Sequence, residues 1–321
     1  MLIYAIRRVL WTVPVLLLCV TILFGLLKAS GVDPLRHDRP LGLSNVPKVK
    51  YGDWRQPGVA QNMRRHYGLD KPVWEQYLHY VGTLVRLDFG PTFTFRNRTV
   101  NDIIDEQGPI TAELVGLAAL WALLLGVPLG ILAALRRGTR VDRAITTLTA
   151  TTLGLPSFFV ASVLSWLLAH KLGLVPVFGW DTLPSKILPP LVLSLVPLSL
   201  VVRVLRAALL EALGADHVQA ARAKGLRRRR VISVHALRPA LIPVVSMSGP
   251  LLGQLVTGLF VVEFIFAIPG IGRYFIAAAG VGDFPLTLGL TVVLTVAVIA
   301  ANLCADIALR LLDPRMLDAP A

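Results

Sequence analysis

Residues 112–135 read AELVGLAALWALLLGVPLGILAAL, and Arg136 and Arg137 follow directly. A helix needs about 18 or more mostly apolar residues to cross a bilayer. This stretch meets that length with a single charge, Glu113, near its start. Five other stretches have the same character, which predicts an all-α integral membrane protein with six transmembrane helices. The six predicted spans are residues 3–27, 112–135, 144–169, 188–210, 240–266 and 286–312.

The composition of the whole chain agrees with a membrane protein. Of its 321 residues, 55% are hydrophobic and 16% are charged, whereas about 25% of the residues in soluble domains are charged. The net charge of +13 can indicate nucleic-acid binding, but here the charges flank apolar runs. We therefore expect a lipid bilayer, and no nucleic acid, as a partner. Cys19 and Cys304 lie within apolar runs and are expected to pack rather than form a disulfide.

The short loops determine the predicted orientation. Four arginines lie between the second and third spans, and Arg222, Lys224 and the run Arg227–Arg230 lie between the fourth and fifth. The short loops on the opposite side carry few cations. Because lysine and arginine are retained in the cytoplasm, both termini are predicted to be cytoplasmic.

A long loop after the first span divides the chain into four predicted parts. They are a first transmembrane helix at residues 1–28, an extracytoplasmic loop or subdomain at 29–111, a membrane core at 112–312 and a cytoplasmic tail at 313–321. The apolar run at the N-terminus is longer than the apolar region of a signal peptide, so an uncleaved helix is expected.

Within the long loop, residues 73–87 have helical periodicity. Trp74, Tyr77 and Leu78 are among the apolar side chains that this periodicity places on one face. Such a face predicts an amphipathic helix that lies at the outer membrane surface.

Prolines interrupt the predicted spans at six positions. They are Pro14, Pro128, Pro156, Pro197, Pro243 and Pro250. Hinges or the lining of a solute path would fit these prolines, and so would ordinary kinks. Ordinary kinks are favoured, because neighbouring helices in a membrane bundle satisfy the freed backbone groups.

Motifs that would give the chain its own chemistry are absent from the sequence. No Gly-Lys pair occurs, so there is no GxxxxGK[ST] loop for ATP, and neither HExxH nor GxSxG is found. These motifs would indicate ATP hydrolysis, a zinc site or a serine nucleophile. The sequence therefore predicts no catalytic residue, no metal site and no cofactor site in this chain.

Few charges fall inside the predicted spans. Arg203 and Arg206 are expected to reach the cytoplasmic interface from the end of the fourth span. Glu263 is interpreted as a helix-end charge, and so is Asp306, which is within reach of Arg310. A transporter driven by protons or sodium would normally need more polarity in mid-membrane. A secondary transporter, an intramembrane enzyme and a membrane scaffold are the rival interpretations.

The loop at residues 211–239, between the fourth and fifth spans, is the most informative segment. Helix-forming residues fill 216–224, and Gly225 is a helix stop, which predicts a short helix on the cytoplasmic face. Small Ala220, Ala221 and Ala223 would let another surface approach closely. Arg222 and Lys224 would offer charge to a partner, whereas the run Arg227–Arg230 is interpreted as a topology anchor.

The segment Gln219-Ala-Ala-Arg-Ala-Lys-Gly225 resembles the EAA coupling loop of ABC importer permeases, with Gln219 in place of the family's glutamate. Further segments resemble the dipeptide, oligopeptide and nickel permease branch, in the same order along the chain. They are Gly68-Leu-Asp-Lys-Pro72, Gln76-Tyr77, Leu87-Asp-Phe-Gly90, Pro109-Ile-Thr-Ala-Glu-Leu114, Leu155-Pro-Ser-Phe-Phe159, Glu263-Phe-Ile-Phe266, Pro269-Gly-Ile-Gly272, Asp283-Phe-Pro285, Asn302-Leu-Cys-Ala-Asp306 and Asp313-Pro-Arg315. The chain departs from the branch at Val32 and at Ala308-Leu-Arg310, and residues 35–51 match nothing in it.

The resemblance implies the type I ABC importer permease fold and a pore-forming role in a bacterial cell membrane. It implies several partners: a second, homologous permease subunit, two ATPase subunits or a fused one, and an extracytoplasmic solute-binding protein. ATP and Mg would bind to the ATPase subunits. The implied solutes are dipeptides or oligopeptides, while nickel chelates, glutathione and sugar conjugates stay open.

Two sets of site residues follow from the resemblance. The coupling loop comprises Gln219, Ala220, Ala221, Arg222, Ala223, Lys224 and Gly225. The possible mouth of the solute path comprises Glu263, Pro269, Gly270 and Gly272. For the last three residues, a turn toward the path and a simple outer loop fit equally well.

Overall fold

The computed structural model describes residues 2–31, 58, 61, 64, 65, 67–95 and 98–312, and their side chains except for residues 2–10 and 310–312. Apart from one isolated antiparallel bridge between Pro91 and Thr99, the regular structure of these residues is helical, which confirms the all-α prediction. The helices are α1 (Leu2–Ala29), α2 (Val73–Val85), α3 (Val100–Leu135), α4 (Arg140–Gly154), α5 (Ser157–Leu164), α6 (Leu188–Gly214), α7 (Asp216–Ala223), α8 (Arg228–Arg230), α9 (Leu237–Ser246), α10 (Ser248–Ile265), α11 (Ile271–Val281) and α12 (Phe284–Leu312).

Two helices continue with π-helical winding. Ser165–Lys171 extends α5, and Val231–Ala236 joins α8 to α9. A short 3-10 turn, Pro184–Lys186, precedes α6. Residues 35–51, the closing Asp313-Pro-Arg315 and the side chain of Arg310, the predicted partner of Asp306, lie outside the described residues.

Five helices in the described part of the chain are long and apolar enough to cross a membrane: α1, α3, α6, α10 and α12. A sixth span is obtained if α4 and the extended α5 are counted as one bent pair. This agrees with the number of predicted spans, and the differences concern their shape and their ends.

The third predicted span, residues 144–169, is not a single straight helix. The axes of α4 and the extended α5 differ by 117°, and the break lies at Leu155 and Pro156. Leu155 is extended, with φ −95° and ψ 136°, because a residue before proline is disfavoured in the α region. The kink predicted at Pro156 is therefore wrong, since the chain turns there, whereas Pro14 and Pro197 stay inside α1 and α6.

The fifth predicted span, residues 240–266, is divided as well. α9 ends at Ser246, and α10 begins at Ser248. Pro250 has no N–H to donate to the carbonyl of Ser246, four residues earlier, and this missing bond accompanies the division. Only α10, of 18 residues, meets the requirements of a span here, so the prediction extended too far at its N-terminal side.

The second span begins earlier than predicted. α3 starts at Val100 rather than at Ala112, and it includes the polar residues between them. The amide of Asp102 donates to Oγ1 of Thr99 at 3.1 Å, and the amide of Thr99 donates to Oδ2 of Asp102 at 2.8 Å. This reciprocal capping stabilises the helix start well before the apolar stretch.

The chain divides into two compact units. Unit 1 comprises Met1–Ala5, Glu113–Phe266 and Val298–Ala321, and unit 2 comprises Ile6–Ala112 and Ala267–Ala297. In unit 1, α6 packs against α4, α5, α9 and α10. Within an apolar window of 18 residues in the span that contains α6, 61% of the residues are buried, so this helix forms the centre of unit 1.

Two glycines let α3 approach α6 closely in unit 1. A Cβ atom on Gly126 would lie 3.0 Å from Cγ1 of Val201, and one on Gly130 would lie 3.1 Å from Cβ of Leu205. The two glycines are one turn apart, so they face the same neighbour. Small residues at this spacing favour close packing of membrane helices.

A buried carboxylate organises unit 2. Asp283 precedes α12 and is fully buried. Its Oδ2 accepts hydrogen bonds from Oγ1 of Thr92 at 2.7 Å and from the amide of Thr94 at 2.8 Å, and its Oδ1 accepts from the amide of Leu286 at 3.2 Å. Burial raises the pKa of the Asp283 carboxyl, and the hydrogen bonds from Thr92 and Thr94 act in the opposite direction. The contacts tie the loop before α3 to the start of α12.

Helix α2, predicted from its periodicity, is also in unit 2. Its buried residues are Gln76 and Tyr80, whereas Trp74 and Leu78, on the predicted apolar face, are 63% and 58% exposed. Nζ of Lys28, at the end of α1, donates to Oε1 of Gln76 at 2.5 Å. The helix is therefore attached to α1 through Gln76 and through Tyr77, whose ring contacts that of Phe24, whereas Trp74 and Leu78 are free to contact lipid.

Candidate coupling site

The predicted short helix of the loop between the fourth and fifth spans is present as α7. It ends at Ala223, and Gly225 has a left-handed backbone with φ +74°. The amide of Gly225 donates to the carbonyl of Arg222 at 2.9 Å, and the amide of Leu226 donates to the carbonyl of Ala221 at 3.4 Å. This pair of bonds is a Schellman motif, in which glycine is favoured because it adopts positive φ without strain.

Helix α7 is held to unit 1 by two small apolar anchors. Val218 is fully buried and Ala221 nearly so, in a cluster that includes Ala134 and Leu209. The remaining positions of the predicted coupling loop are exposed: Gln219, Ala220, Arg222, Ala223, Lys224 and Gly225. Ala221 therefore packs within this chain, while Ala220 and Gly225 are the small residues that a partner can approach.

The exposed Gly225 has space around it as well as an unusual backbone. A Cβ atom placed on Gly225 would meet no other atom within 4 Å. Within this chain, then, only the backbone conformation requires glycine at this position. Free space beside Gly225 is what close approach by another surface would need.

Gln219 has a structural partner that a glutamate could not have. Its Nε2 donates to the carbonyl of Gly214, the last residue of α6, at 2.9 Å. A carboxylate has no N–H and would instead place a negative oxygen beside that carbonyl. The glutamine at this position thus satisfies one of the orphan carbonyls at the end of α6.

A second hydrogen bond joins α7 to the helix that follows it. Pro239 has no N–H to donate to the carbonyl of His235, four residues earlier. Nε2 of His217 lies 3.1 Å from that carbonyl and donates to it. The side chain on α7 thereby contacts the backbone of the π-helical turn Val231–Ala236.

The arginine run after α7 forms the start of this next helix. Arg228–Arg230 is α8, and Arg227 precedes it with an extended ψ of 137°. All four arginines are exposed. Their interpretation as a topology anchor concerns orientation, and it stays a prediction.

An ion pair lies at the junction of α4 and α6 in the same unit. Arg206 Nε donates to Oδ1 of Asp142 at 2.7 Å, and Arg206 Nη2 donates to Oδ2 at 2.8 Å. The amide of Gly138 also donates to Asp142, at 2.9 Å. This two-point contact holds Arg206 at the start of α4, and Arg203 is exposed. That both side chains reach the cytoplasmic interface stays a prediction.

The four residues of the possible path mouth fall in different elements. Glu263 lies in the last turn of α10 in unit 1, and its side chain is fully buried. In unit 2, Pro269 precedes Gly270, the residue before α11, and Gly272 is in the first turn of that helix. Residues 269–272 were predicted to form a turn or a simple loop. In the structure they lead into α11, a helix that the sequence analysis did not predict.

Helix α11 is fixed at both ends. The amide of Ile271 donates to Oγ1 of Thr111 at 2.9 Å, and Gly282, with φ +76°, terminates the helix. Gly282 was the available sequence signal for the helix end, and the apolar residues Phe275 to Ala279 were the signal for the helix itself. With 11 residues it is too short to cross a membrane.

No group of three or more His, Cys, Asp and Glu side chains in the described part of the chain is placed to hold a metal ion. The helix α7 is thus described by its cap and by its exposed small and polar residues.

Comparison with known proteins identifies the chain. Residues 126–318, which include α7 and both flanking helices, match the family described as "Binding-protein-dependent transport system inner membrane component". The chain belongs to this family. It is a multi-pass membrane protein of the bacterial inner membrane, and as a permease subunit it is a transport protein rather than an enzyme.

Named relatives match this permease over nearly its full length. It is 35% identical over 318 residues to the oligopeptide transport system permease protein OppB of Salmonella typhimurium, covering 98% of this chain and 99% of the relative. It is 34% identical over 313 residues to the dipeptide transport system permease protein DppB of Bacillus subtilis, covering 98% of this chain and 97% of the relative.

A solved structure shares the fold of the permease. A chain of the MetNI methionine ABC transporter, in an inward-facing conformation, superposes with a TM-score of 0.55 at 17% identity. The match covers 65% of this chain and 96% of that chain. The predicted ABC importer permease fold is thereby confirmed.

Proposed function

We propose that this permease is the pore-forming subunit of an ATP-driven, binding-protein-dependent importer of dipeptides or oligopeptides. The observation that carries the proposal is the full-length similarity to permeases of oligopeptide and dipeptide transport systems. The capped helix α7, with its exposed small residues, is consistent with a docking element for a motor subunit. Nickel chelates, glutathione and sugar conjugates are the alternative solutes.

The proposed assembly contains three kinds of partner. A second, homologous permease completes the path, two ATPase subunits (or a fused one) dock from below, and an extracytoplasmic binding protein delivers the solute. ATP and Mg bind to the ATPase subunits, and this chain holds no cofactor. Both termini lie in the cytoplasm, as the arginine-rich loops favour.

In the proposed cycle, α7 is the contact through which ATP acts on the permease. Closure of the ATPase subunits on ATP moves α7, which is anchored through Val218 and Ala221 in the cluster around α6. The path then changes from inward-facing to outward-facing. The two arrangements are states of a bistable assembly, and nucleotide and loaded binding protein shift their populations.

The proposal is tested by reconstitution in proteoliposomes. The permease is purified with its co-purifying subunits, and the uptake of labelled dipeptides and oligopeptides is measured with the binding protein present. Uptake should require ATP and each partner, and it should be unaffected when the proton and sodium gradients are dissipated. Uptake by this chain alone, driven by an ion gradient, would show a secondary transporter instead.

The solute class is tested on the binding protein. Titrations with short peptides, a nickel chelate, glutathione and a sugar conjugate should give tight binding for peptides only. Tight binding of another solute, together with ATP-dependent uptake of it, would leave the importer assignment intact and correct the substrate.

A further inference from the structure

A small cavity lies in unit 2, between α1, α2 and the start of α12. It offers about 30 Å³ of space for the centre of a water molecule. A buried water needs at least about 10–15 Å³ on this measure, so the cavity has room for about one or two waters. An organic solute is too large for this space, and the polar groups that line the cavity therefore determine what occupies it.

The hydroxyl of Tyr80 is the lining group that most needs a partner. Tyr80 lines the cavity from α2, and only 6% of its surface is exposed. Its Oη is buried and has no hydrogen-bond partner among the described residues. A buried hydroxyl loses the hydrogen bonds that it makes with solvent in the unfolded chain. Such groups are nearly always paired in folded proteins, either with another protein group or with an ordered water.

Lys28, at the end of α1, supplies further donors to the same cavity. One of its three N–H groups donates to Oε1 of Gln76 at 2.5 Å. Its Nζ also lies 4.6 Å from the centre of the Phe284 ring and 5.7 Å from that of the Phe24 ring. No carboxylate pairs with Lys28 in the part of the chain that the structure describes. Because the rings attract the charge without replacing a hydrogen-bond acceptor, Lys28 has N–H groups left for an occupant.

The charges around the cavity favour a neutral occupant. Tyr67 also lines the cavity, and burial raises the pKa of its hydroxyl, which the negative charges of Asp283 and Asp88 raise further. The same two carboxylates repel an anion, and the ammonium of Lys28 repels a cation. Water is neutral, fits the volume, and accepts as well as donates hydrogen bonds.

From the cavity and its polar lining we infer that an ordered water molecule links α1 to α2. The water accepts hydrogen bonds from the Tyr80 hydroxyl and the Lys28 ammonium. It donates to Oε1 of Gln76 or to Oγ1 of Thr83, whose own hydroxyl donates to the carbonyl of Tyr80 at 2.7 Å. About three bonds are usual for a buried water. The water is then a further attachment of α2 to α1, and because the site lies within unit 2, its occupancy does not depend on the transported solute.

Two buried hydroxyls provide a matched pair of variants for the test. Oγ1 of Thr287, in α12, is also buried without a partner among the described residues, but Thr287 does not line the cavity. Tyr80→Phe and Thr287→Val each remove one hydroxyl and nearly keep the shape of the side chain. The thermal unfolding temperatures of the full chain and of both variants are measured in the same nanodiscs.

We expect Tyr80→Phe to unfold roughly 2 °C below the unchanged chain, because it loses a hydrogen bond to the water. Thr287→Val should unfold at the same temperature or higher, because it loses a hydroxyl that no group pairs. If Tyr80→Phe is as stable as the unchanged chain, or more stable, the inference is wrong, since the hydroxyl then had no partner to lose. An equal fall in both variants would also overturn it, because the cavity would then make no difference.

Two further measurements identify the occupant directly. Replacement of chloride by gluconate should leave the unfolding temperature unchanged. A fall that bromide reverses, and that is absent in Lys28→Met, would show that an anion occupies the cavity and would overturn the water. In a high-resolution density map of the permease, a peak should lie about 2.5–3.2 Å from both Oη of Tyr80 and Nζ of Lys28. A map without such a peak contradicts the inference.

Discussion

Helix α7 in unit 1 and the Asp283 cluster in unit 2 are built on opposite principles. α7 buries two small apolar residues and exposes its polar ones; Gly225 caps its C-terminus, and Gln219 satisfies a carbonyl at the end of α6. Asp283 is fully buried, and its carboxylate collects three hydrogen bonds from two distant parts of the unit. The first arrangement leaves a surface exposed for a partner. The second buries the carboxylate completely and stabilises unit 2.

The two arrangements also differ in how much a mutation lowers the free energy of unfolding. Loss of a buried carboxylate leaves several donors without an acceptor, and each unsatisfied group costs about 1–3 kcal/mol. A substitution on the exposed face of α7 changes the free energy of unfolding little, but it alters the surface that a partner contacts. Mutations around Asp283 should therefore lower the free energy of unfolding. Mutations on the exposed face of α7 should instead lower the rate of transport.

The largest effect on function is expected from Gly225→Trp. The indole would occupy the free space beside the C-terminus of α7, where we propose that an ATPase subunit docks. Transport should be abolished, while the purified permease remains folded. The measurement is ATP-dependent uptake in proteoliposomes, together with the thermal unfolding temperature in detergent.

Gly138→Trp is the matched control for this variant. Gly138 also has positive φ, +77°, and a Cβ atom placed on it would meet no atom within 4 Å, but it lies in the loop before α4. A second variant, Gly225→Asn, adds a side chain that tolerates the left-handed backbone. If Gly225→Trp transports as well as the unchanged chain, the coupling assignment of α7 is wrong.

The largest effect on stability is expected from Asp283→Ala. The amides of Thr94 and Leu286 and the hydroxyl of Thr92 would lose their acceptor, which should lower the free energy of unfolding by roughly 3 kcal/mol or more. The thermal unfolding temperature should fall by several degrees. Asp105→Ala, at an exposed position of α3, is the control and should be within about 0.5 kcal/mol of the unchanged chain. Equal stability of the two variants would contradict the role of the buried carboxylate.

A smaller, local effect is expected from Val218→Ala. Removing two methyl groups from the anchor of α7 should weaken its attachment by about 2 kcal/mol. Hydrogen exchange in residues 216–226 should accelerate while the unfolding temperature of the whole chain changes little. Val234→Ala, at a half-exposed valine in the next helix, should leave the exchange unchanged. If hydrogen exchange in residues 216–226 is as slow in Val218→Ala as in the unchanged chain, α7 is held by other contacts.

The smallest effect is expected from Gln219→Glu. The carbonyl of Gly214 would lose one hydrogen bond, worth about 1 kcal/mol. Uptake should fall by a few-fold at most, and Gln219→Ala should behave similarly. A loss of uptake as complete as that of Gly225→Trp would mean that Gln219 contacts a partner directly, rather than serving the end of α6.

Much of the fold followed from local sequence signals. The spans were recognisable because apolar length and flanking charge are local properties, and α7 was recognisable because Gly225 ends a run of helix formers. The position of α12 agrees within a few residues, since Phe284 to Leu312 has few polar residues to blur its ends.

The features that sequence reasoning missed depend on contacts between distant residues. Asp142 and Arg206 are 64 positions apart, so no periodicity relates them. The burial of Glu263 depends on what surrounds α10, and the 117° turn at Pro156 is larger than a proline alone requires. α11 was overlooked because Pro269 and two nearby glycines indicated a turn, whereas the amide of Ile271 finds an acceptor in Thr111.

The site was predicted in part for the same reason. Exposure of Ala220 and burial of Ala221 could not be separated, because two adjacent alanines on a short helix look alike in sequence. The bonds of Gln219 and His217 to backbone carbonyls likewise need the relative placement of α6, α7 and the π-helical turn Val231–Ala236.

The π-helical turn Val231–Ala236 has a consequence for how this chain tolerates insertions and deletions. Such a turn accommodates one residue more than an α-helical turn, and each residue in an α-helix accounts for about 100° of rotation. Removal of one exposed residue from it, Ser233, would return the segment to α-helical winding and leave α8 and α9 facing as they do now. A deletion there should be milder than a deletion within α9, where every later side chain would be turned to a new face.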